Sequence, residues 1–177
     1  MPGMTKDEMN EFLEGRHLAR VAIVRKDGAP YVIPVWYDWD GEYCFIVGRK
    51  KADWVKHIRR EPRVAVLIDE LDPDAPKVII QGKAKITGET LSDWVDIGRR
   101  MVKKYFGPDA GDSYLKGSLD QPRYTIRIKP RRITTWRNPS RDEIKRSPRG
   151  AWHPRYYVDG TKWHKEHKDE KKRRTHS

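Results

Sequence analysis

The sequence predicts a mainly β protein, a small antiparallel β-barrel with α-helices at its periphery. Three observations carry that reading. Short runs rich in apolar and β-branched residues are joined by tight turns at Asp27-Gly28 and Asp40-Gly41, pairs suited to the φ > 0 positions of hairpins. Late in the chain, Pro122 to Ile128 alternates, with Tyr124, Ile126 and Ile128 on one face and Thr125 and Arg127 on the other. Helical spacing is confined to three segments. Strands joined by tight turns pair antiparallel, and enough of them close into a barrel, which removes exposed edges.

The elements follow in order. Thr5-Lys6-Asp7-Glu8 is a capping-box pattern, and Met9, Phe12 and Leu13 share a helical face, so a helix is expected over 5–14. Strands are expected over 18–25, 31–38 and 42–47, a short helix over 52–60 closed by Pro62, and a strand over 63–69. A long strand follows over 77–87, with Gly82 inside it as the sign of a bulge or a close backbone approach. The amphipathic stretch 91–106 carries Trp94, Val95, Ile97, Met101, Val102 and Tyr105, and Gly107-Pro108 should stop it. The pair 122–128 and 133–136 ends the sheet, and from Trp163 onward a charged tail is expected to stay unpacked.

Composition narrows the function. A chain of 177 residues is one domain by length, with 36% hydrophobic and 36% charged residues. No apolar run approaches the roughly 20 residues of a membrane helix. The start, MPGMTKDEMNEF, is too polar for a signal peptide, and Cys44 is the single cysteine, so a cytoplasmic location is expected. The net charge of +12 is uneven: residues 1–122 hold 20 basic and 20 acidic residues, 123–155 hold 11 and 2, and 156–177 hold 7 and 4. The excess either lines an anionic ligand site or forms a basic arm for a polyanion.

Arg49, Lys50 and Lys51 close a strand just ahead of a helix start, which suits a phosphate. A solvated basic loop is the plain alternative. Pro34 cannot donate to a ladder and marks an edge or an interruption, leaving backbone groups near Ile33, Val35 and Trp36 for a ligand or a barrel rim. Trp36, Trp54 and Trp94 fall among apolar positions and read as core or interface, whereas Trp136 and Trp152 sit in basic, Pro-rich surroundings and suit stacking on a ring. Gln81 is either a ligand contact or an outward strand residue. No metal is expected: His164 and His167 lack completing ligands, and His17 alone is thin support for haem.

Beyond these readings, PVWYDWDG, FIVGRKK, HIRREPRV and IIQGKAKI, in this order, resemble the FMN-binding split-barrel superfamily typified by pyridoxamine 5′-phosphate oxidase. IRIKPRRITTW and WHPR resemble that oxidase's closing segment. The resemblance implies an antiparallel split β-barrel over 1–137, a segment 138–162 closing over the cofactor and a basic tail over 163–177. It implies FMN, or alternatively a deazaflavin coenzyme, held by Ile33, Pro34, Val35, Trp36, Ile46, Val47, Arg49, Lys50, Lys51, Gln81, Trp136 and Arg155. His153 would face the substrate, with no obligatory catalytic side chain. It further implies a flavin-dependent oxidoreductase acting on a small molecule, built as a homodimer. The departures are Ala151 in place of an Arg, Lys77 in place of a Gln, and a shifted basic pair; they point to a reductase divergent from the oxidase. The competing classes are a non-catalytic flavin or haem carrier or sensor and, ranked below it, a nucleic-acid binder using Trp136, Trp152, Tyr156, Tyr157 and Trp163.

Overall fold

The computed structural model describes residues 3–70, 76–88, 91–137, 141–146 and 156–174. The expected N-terminal helix is α1 (Lys6–Glu14). The Thr5 side chain accepts from the Glu8 N–H, and the Glu8 carboxylate accepts from the Thr5 N–H at 2.7 Å, the full capping box. The strands are β1 (Ala19–Val24), β2 (Pro30–Val35), β3 (Tyr37–Trp39), β4 (Cys44–Arg49), β5 (Arg63–Ile68), β6 (Lys77–Gly88) and β7 (Arg123–Trp136). They form one antiparallel sheet in the order β2-β1-β5-β6-β7-β4-β3.

That order contains the closure. β2 and β3 lie at opposite edges of the sheet, yet only Trp36 separates them in the chain. The sheet must therefore curl until its edges almost meet, which is a split barrel. The sequence suggested one strand over 31–38; the break falls at Trp36, and Pro34 instead pairs with Arg20 on edge strand β2. Between β3 and β4 the turn runs to Tyr43, because Asp40 Oδ1 accepts from the N–H groups of Glu42 and Tyr43, so β4 begins later than expected.

Inward residues fill the barrel. Val21, Ile46, Val66, Ile80, Ile126 and Ile128 are fully buried, and Leu13 of α1 and Ile58 of α2 (Asp53–Arg60) plug the two ends. Gly82 is needed where β6 meets β7: a Cβ there would lie 2.1 Å from the Lys129 carbonyl oxygen. The register slips at this point, with Gln81 opposite Arg132 and Gly82 opposite Pro130, leaving Arg131 as the extra residue of a bulge. This bulge lets β7 run unbroken through Pro130, where the sequence had implied two pieces.

Three helices differ from expectation. α3 (Leu91–Phe106) matches, but Gly107-Pro108 does not end the helical region. Gly107 takes φ 81°, and Pro108 opens α4 (Pro108–Lys116) at a position where a missing N–H costs nothing. α5 (Arg141–Arg146) and α6 (Lys162–Arg174) follow β7. The charged stretch from Trp163 is helical as far as Arg174, and the first turn of α6 is anchored by Lys165 N–H to Thr161 C=O and by the contact of Tyr157 with Trp163. No described helix is long and apolar enough to cross a membrane.

Candidate functional site

Alternation places Phe45, Val47 and Arg49 of β4 on the outer face of the sheet, level with Arg127, Thr125 and Arg123 of β7. α3 and α4 cover this end of the face. Trp94, Val102 and Leu115 form a second apolar cluster there with Trp36, Val47, Val95 and Tyr114. The covering is incomplete, and a pocket of about 450 Å³ remains between helices and sheet. Its walls include Pro34, Val35, Trp36, Val47, Trp94, Met101 and Tyr114, and Arg49 and Arg123 stand at its rim.

The aromatic wall is built by stacking. Trp36 lies 5.0 Å from Tyr105, nearly parallel, and meets Tyr114 edge-on at 5.7 Å. Gly98 leaves room for the Trp94 ring along α3, since a Cβ would approach that ring to 2.7 Å. Beneath, α3 is pinned by polar contacts. Lys104 Nζ donates to the Leu13 carbonyl at 2.8 Å and sits 3.8 Å over the Tyr37 ring. Tyr105 Oη donates to the His17 carbonyl, and Arg100 pairs with Asp38 at 2.7 Å. Burial lowers the Lys104 ammonium to about 8 and raises the Tyr105 phenol to about 12.

The rim is electrostatically unfinished. Arg49 and Arg123 are direct register partners on β4 and β7, so one rung brings two cations to the pocket lining. Neither has a carboxylate partner among the described residues. The Arg123 guanidinium lies 4.8 Å over the Trp94 ring. Arg123 Nε and Trp94 Nε1 are both buried donors with no hydrogen-bond acceptor. Such groups cost roughly 1–3 kcal/mol each when left unpaired. Both line one pocket, so the arrangement suits a planar aromatic molecule bearing a negative charge.

The sequence-derived candidates divide among several places. Pro34, Val35, Trp36, Val47 and Arg49 line the pocket. Ile33 and Ile46 point into the barrel core, so only their main chain is near the site. Lys50 and Lys51 are exposed in the turn after Arg49, where Lys50 N–H bonds the Pro122 carbonyl and α2 starts at Ala52 without a side-chain cap. Gln81 lies in a separate groove with Arg63, Lys83, Arg131 and Arg132. Trp136 ends β7 opposite Lys77, while Arg123 begins it; about 40 Å of strand path separates them. His153 and Arg155, with Trp152, lie outside the described residues. Arg123, Trp94 and Tyr114 were not singled out as ligand contacts, though Trp94 was read as core or interface. Arg123 could have been found only by aligning its strand with the one ending at Arg49.

His17 is committed elsewhere. It stacks on Phe12 at 4.3 Å and its Nδ1 pairs with Glu70. No cluster of three metal-ligating side chains exists among the described residues.

A curled antiparallel sheet with its edges one residue apart, and a ring-sized pocket under helices on its outer face, defines the split-barrel class. The chain belongs to the pyridoxamine 5′-phosphate oxidase family, whose model matches residues 5–137. Solved structures similar to it include the conserved hypothetical protein Rv2991 of Mycobacterium tuberculosis, at 24% identity and TM-score 0.66, over 89% of this chain and 94% of that one. An F420 reductase is similar at 21% identity and TM-score 0.51, over 70% and 94%. The haem storage protein HutZ of Vibrio cholerae is similar at 17% identity and TM-score 0.58, over 74% and 92%. These likenesses are of fold. No curated protein matches the chain in sequence.

Proposed function

We propose that the protein is a flavin-dependent oxidoreductase that holds FMN or a deazaflavin in the pocket between Trp36, Trp94 and Tyr114. The observation that carries this reading is the rim: Arg49 and Arg123 in register, with Arg123 Nε and Trp94 Nε1 buried and lacking acceptors. The positive charge of Arg49 and Arg123 beside an aromatic wall favours a bound ring system with an anionic group. The flavin, when bound, supplies hydride chemistry at its ring.

The chain's own residues do the rest. Arg49, Lys50 and Lys51 take the phosphate, helped by the uncapped start of α2. Arg123 supplies positive charge beside the ring, which favours its reduced, anionic form. β2 is an edge strand, so alternate backbone groups around Ile33 to Val35 face away from β1 and are open to the polar edge of a flavin. The aromatic wall excludes water from one ring face. The likeness to an F420 reductase supports a deazaflavin as an alternative to FMN.

A cytoplasmic homodimer belongs to the same reading. Trp136 lies too far along β7 from its own pocket, whereas a second copy could bring its Trp136, Arg155 and His153 to it, with residues 138–162 closing over the cofactor. The test is titration of the purified protein with FMN and with a deazaflavin, followed by Trp fluorescence quenching. Tight binding of one, weakened by Arg123→Ala and by Arg49→Ala, supports the assignment. Binding without any reductant-dependent turnover moves the protein to the carriers, and binding of neither ends the flavin reading.

A further inference from the structure

We propose that the open part of the same outer sheet face is a second anion site, which binds the phosphate backbone of a nucleic-acid strand. Cross-strand neighbours in sheets ordinarily avoid like charge. Here three like-charged pairs stand directly opposite one another in two same-face rungs: Arg63, Lys83 and Lys129 across three strands, and Lys85 with Arg127 two residues along. The bulge adds Arg131 and Arg132 beside Gln81, and these line a groove of about 400 Å³ with Arg63 and Lys83.

Several other surface cations are paired. Arg20, Arg25, Lys56, Arg99 and Arg100 each have a carboxylate within an ion-pair distance. Along β6 and β7, Lys83, Lys85, Lys129, Arg131 and Arg132 have none among the described residues; only Arg63 is answered, by Glu61. Same-face cations along a strand lie about 6.8 Å apart and adjacent strands about 4.8 Å. That is a lattice of charge for an extended polymer, not a cradle for one phosphate.

Among the described residues no aromatic side chain lines the groove, so its own contacts are to phosphate and not to bases. Binding is therefore through phosphate, tolerant of sequence and steeply dependent on salt. Phosphate also suits Arg131 and Arg132, whose forked donors bind it with two parallel bonds. Arg63, Lys83, Lys129, Arg131 and Arg132 lie outside the aromatic pocket, so the two sites are tested by separate variants.

The experiment is fluorescence anisotropy of the full chain with a labelled single-stranded oligonucleotide of mixed sequence, across 50–200 mM salt. With about four phosphates neutralised, the affinity falls about 50-fold over that range, at roughly 0.7 per contact on the log–log slope. Lys83→Glu combined with Lys129→Glu weakens binding at least tenfold and leaves the flavin titration unchanged. The neutral pair Lys83→Gln and Lys129→Gln gives a smaller loss and guards against misfolding of the reversed pair. Arg99→Glu, at a paired cation, changes little. Inorganic polyphosphate competes, because it presents the same chain of phosphates. No binding at 50 mM salt, binding indifferent to both double variants, or equal affinity for a polyglutamate peptide would each overturn the proposal.

Discussion

The two cationic regions sit on one face of one sheet, and they differ in what covers them. Under α3 and α4, Arg49 and Arg123 border a pocket walled by Trp36, Trp94 and Tyr114, with buried donors awaiting acceptors. Toward the β6–β7 bulge no described helix covers the face, and Arg63, Lys83, Arg131 and Arg132 line a groove without aromatics among the described residues. Charge alone does not separate them. Their linings do: aromatic rings wall the first and favour an anion that carries a ring, whereas the second is lined by cations that suit phosphate alone.

Removing both rim arginines gives the largest expected effect. Each charge-assisted bond is worth roughly 1.5–3 kcal/mol, so Arg49→Ala with Arg123→Ala should weaken flavin binding by about 100-fold or more. Oligonucleotide binding should drop by much less. Isothermal titration of both ligands against the double variant decides it. An equal loss of both would merge the two regions into one site.

How much of this contrast was legible beforehand depends on the range of the interaction. The capping box at Thr5, the turns at Gly28 and Gly41 and the Gly82 approach are local, and their chemistry is written in neighbouring residues. Arg49 was legible as a strand-end cation. Arg123 was not, because its role comes from lying opposite Arg49 across 74 positions of chain (123 − 49 = 74). The same holds for the rungs of β6 and β7, where each lysine alone is an ordinary surface residue. α4 was missed for a different reason: Gly107-Pro108 reads equally as a helix stop and as a helix start, and the side chains of Leu115 and Tyr114 decide by docking on Trp94 and Trp36.

Gly82→Ala tests the bulge that presents the open groove. The added methyl meets the Lys129 carbonyl, so β6 and β7 must shift. The expected cost is about 1–3 kcal/mol in denaturant unfolding. Oligonucleotide affinity should fall with the displaced Arg131 and Arg132, while the flavin pocket, at the other end of β7, keeps its ligand.

The covered region should respond to pH. Burial holds the folded Lys104 at about 8 against an ordinary value of 10.5. Below pH 8 both states carry the charge and the folded state bears the full burial cost. Between pH 8 and 10.5 the unfolded chain binds a proton the folded chain has released, so this group makes stability rise with pH. Cys44, raised to about 12, and Tyr105 act in the opposite sense above pH 9 and 10. The contribution of Lys104 is therefore read from the difference between wild type and Lys104→Met in urea unfolding from pH 7 to 10. That difference should change across pH 8–10.

The smallest effect carries the sharpest sign. If Lys83 stands between Arg63 and Lys129 only as a solvated residue, Lys83→Thr should leave stability nearly unchanged, apart from the β preference of threonine. If the rungs hold like charges together at a cost, the substitution should stabilise the protein by about 0.2–1 kcal/mol per relieved pair, and most at low salt. The same variant should bind oligonucleotide less well. A gain in stability paired with a loss of binding marks residues held against the interest of the fold, as expected where a cation is kept for a partner. Lys56→Thr, which removes a cation paired with Asp53, should show neither change to that extent.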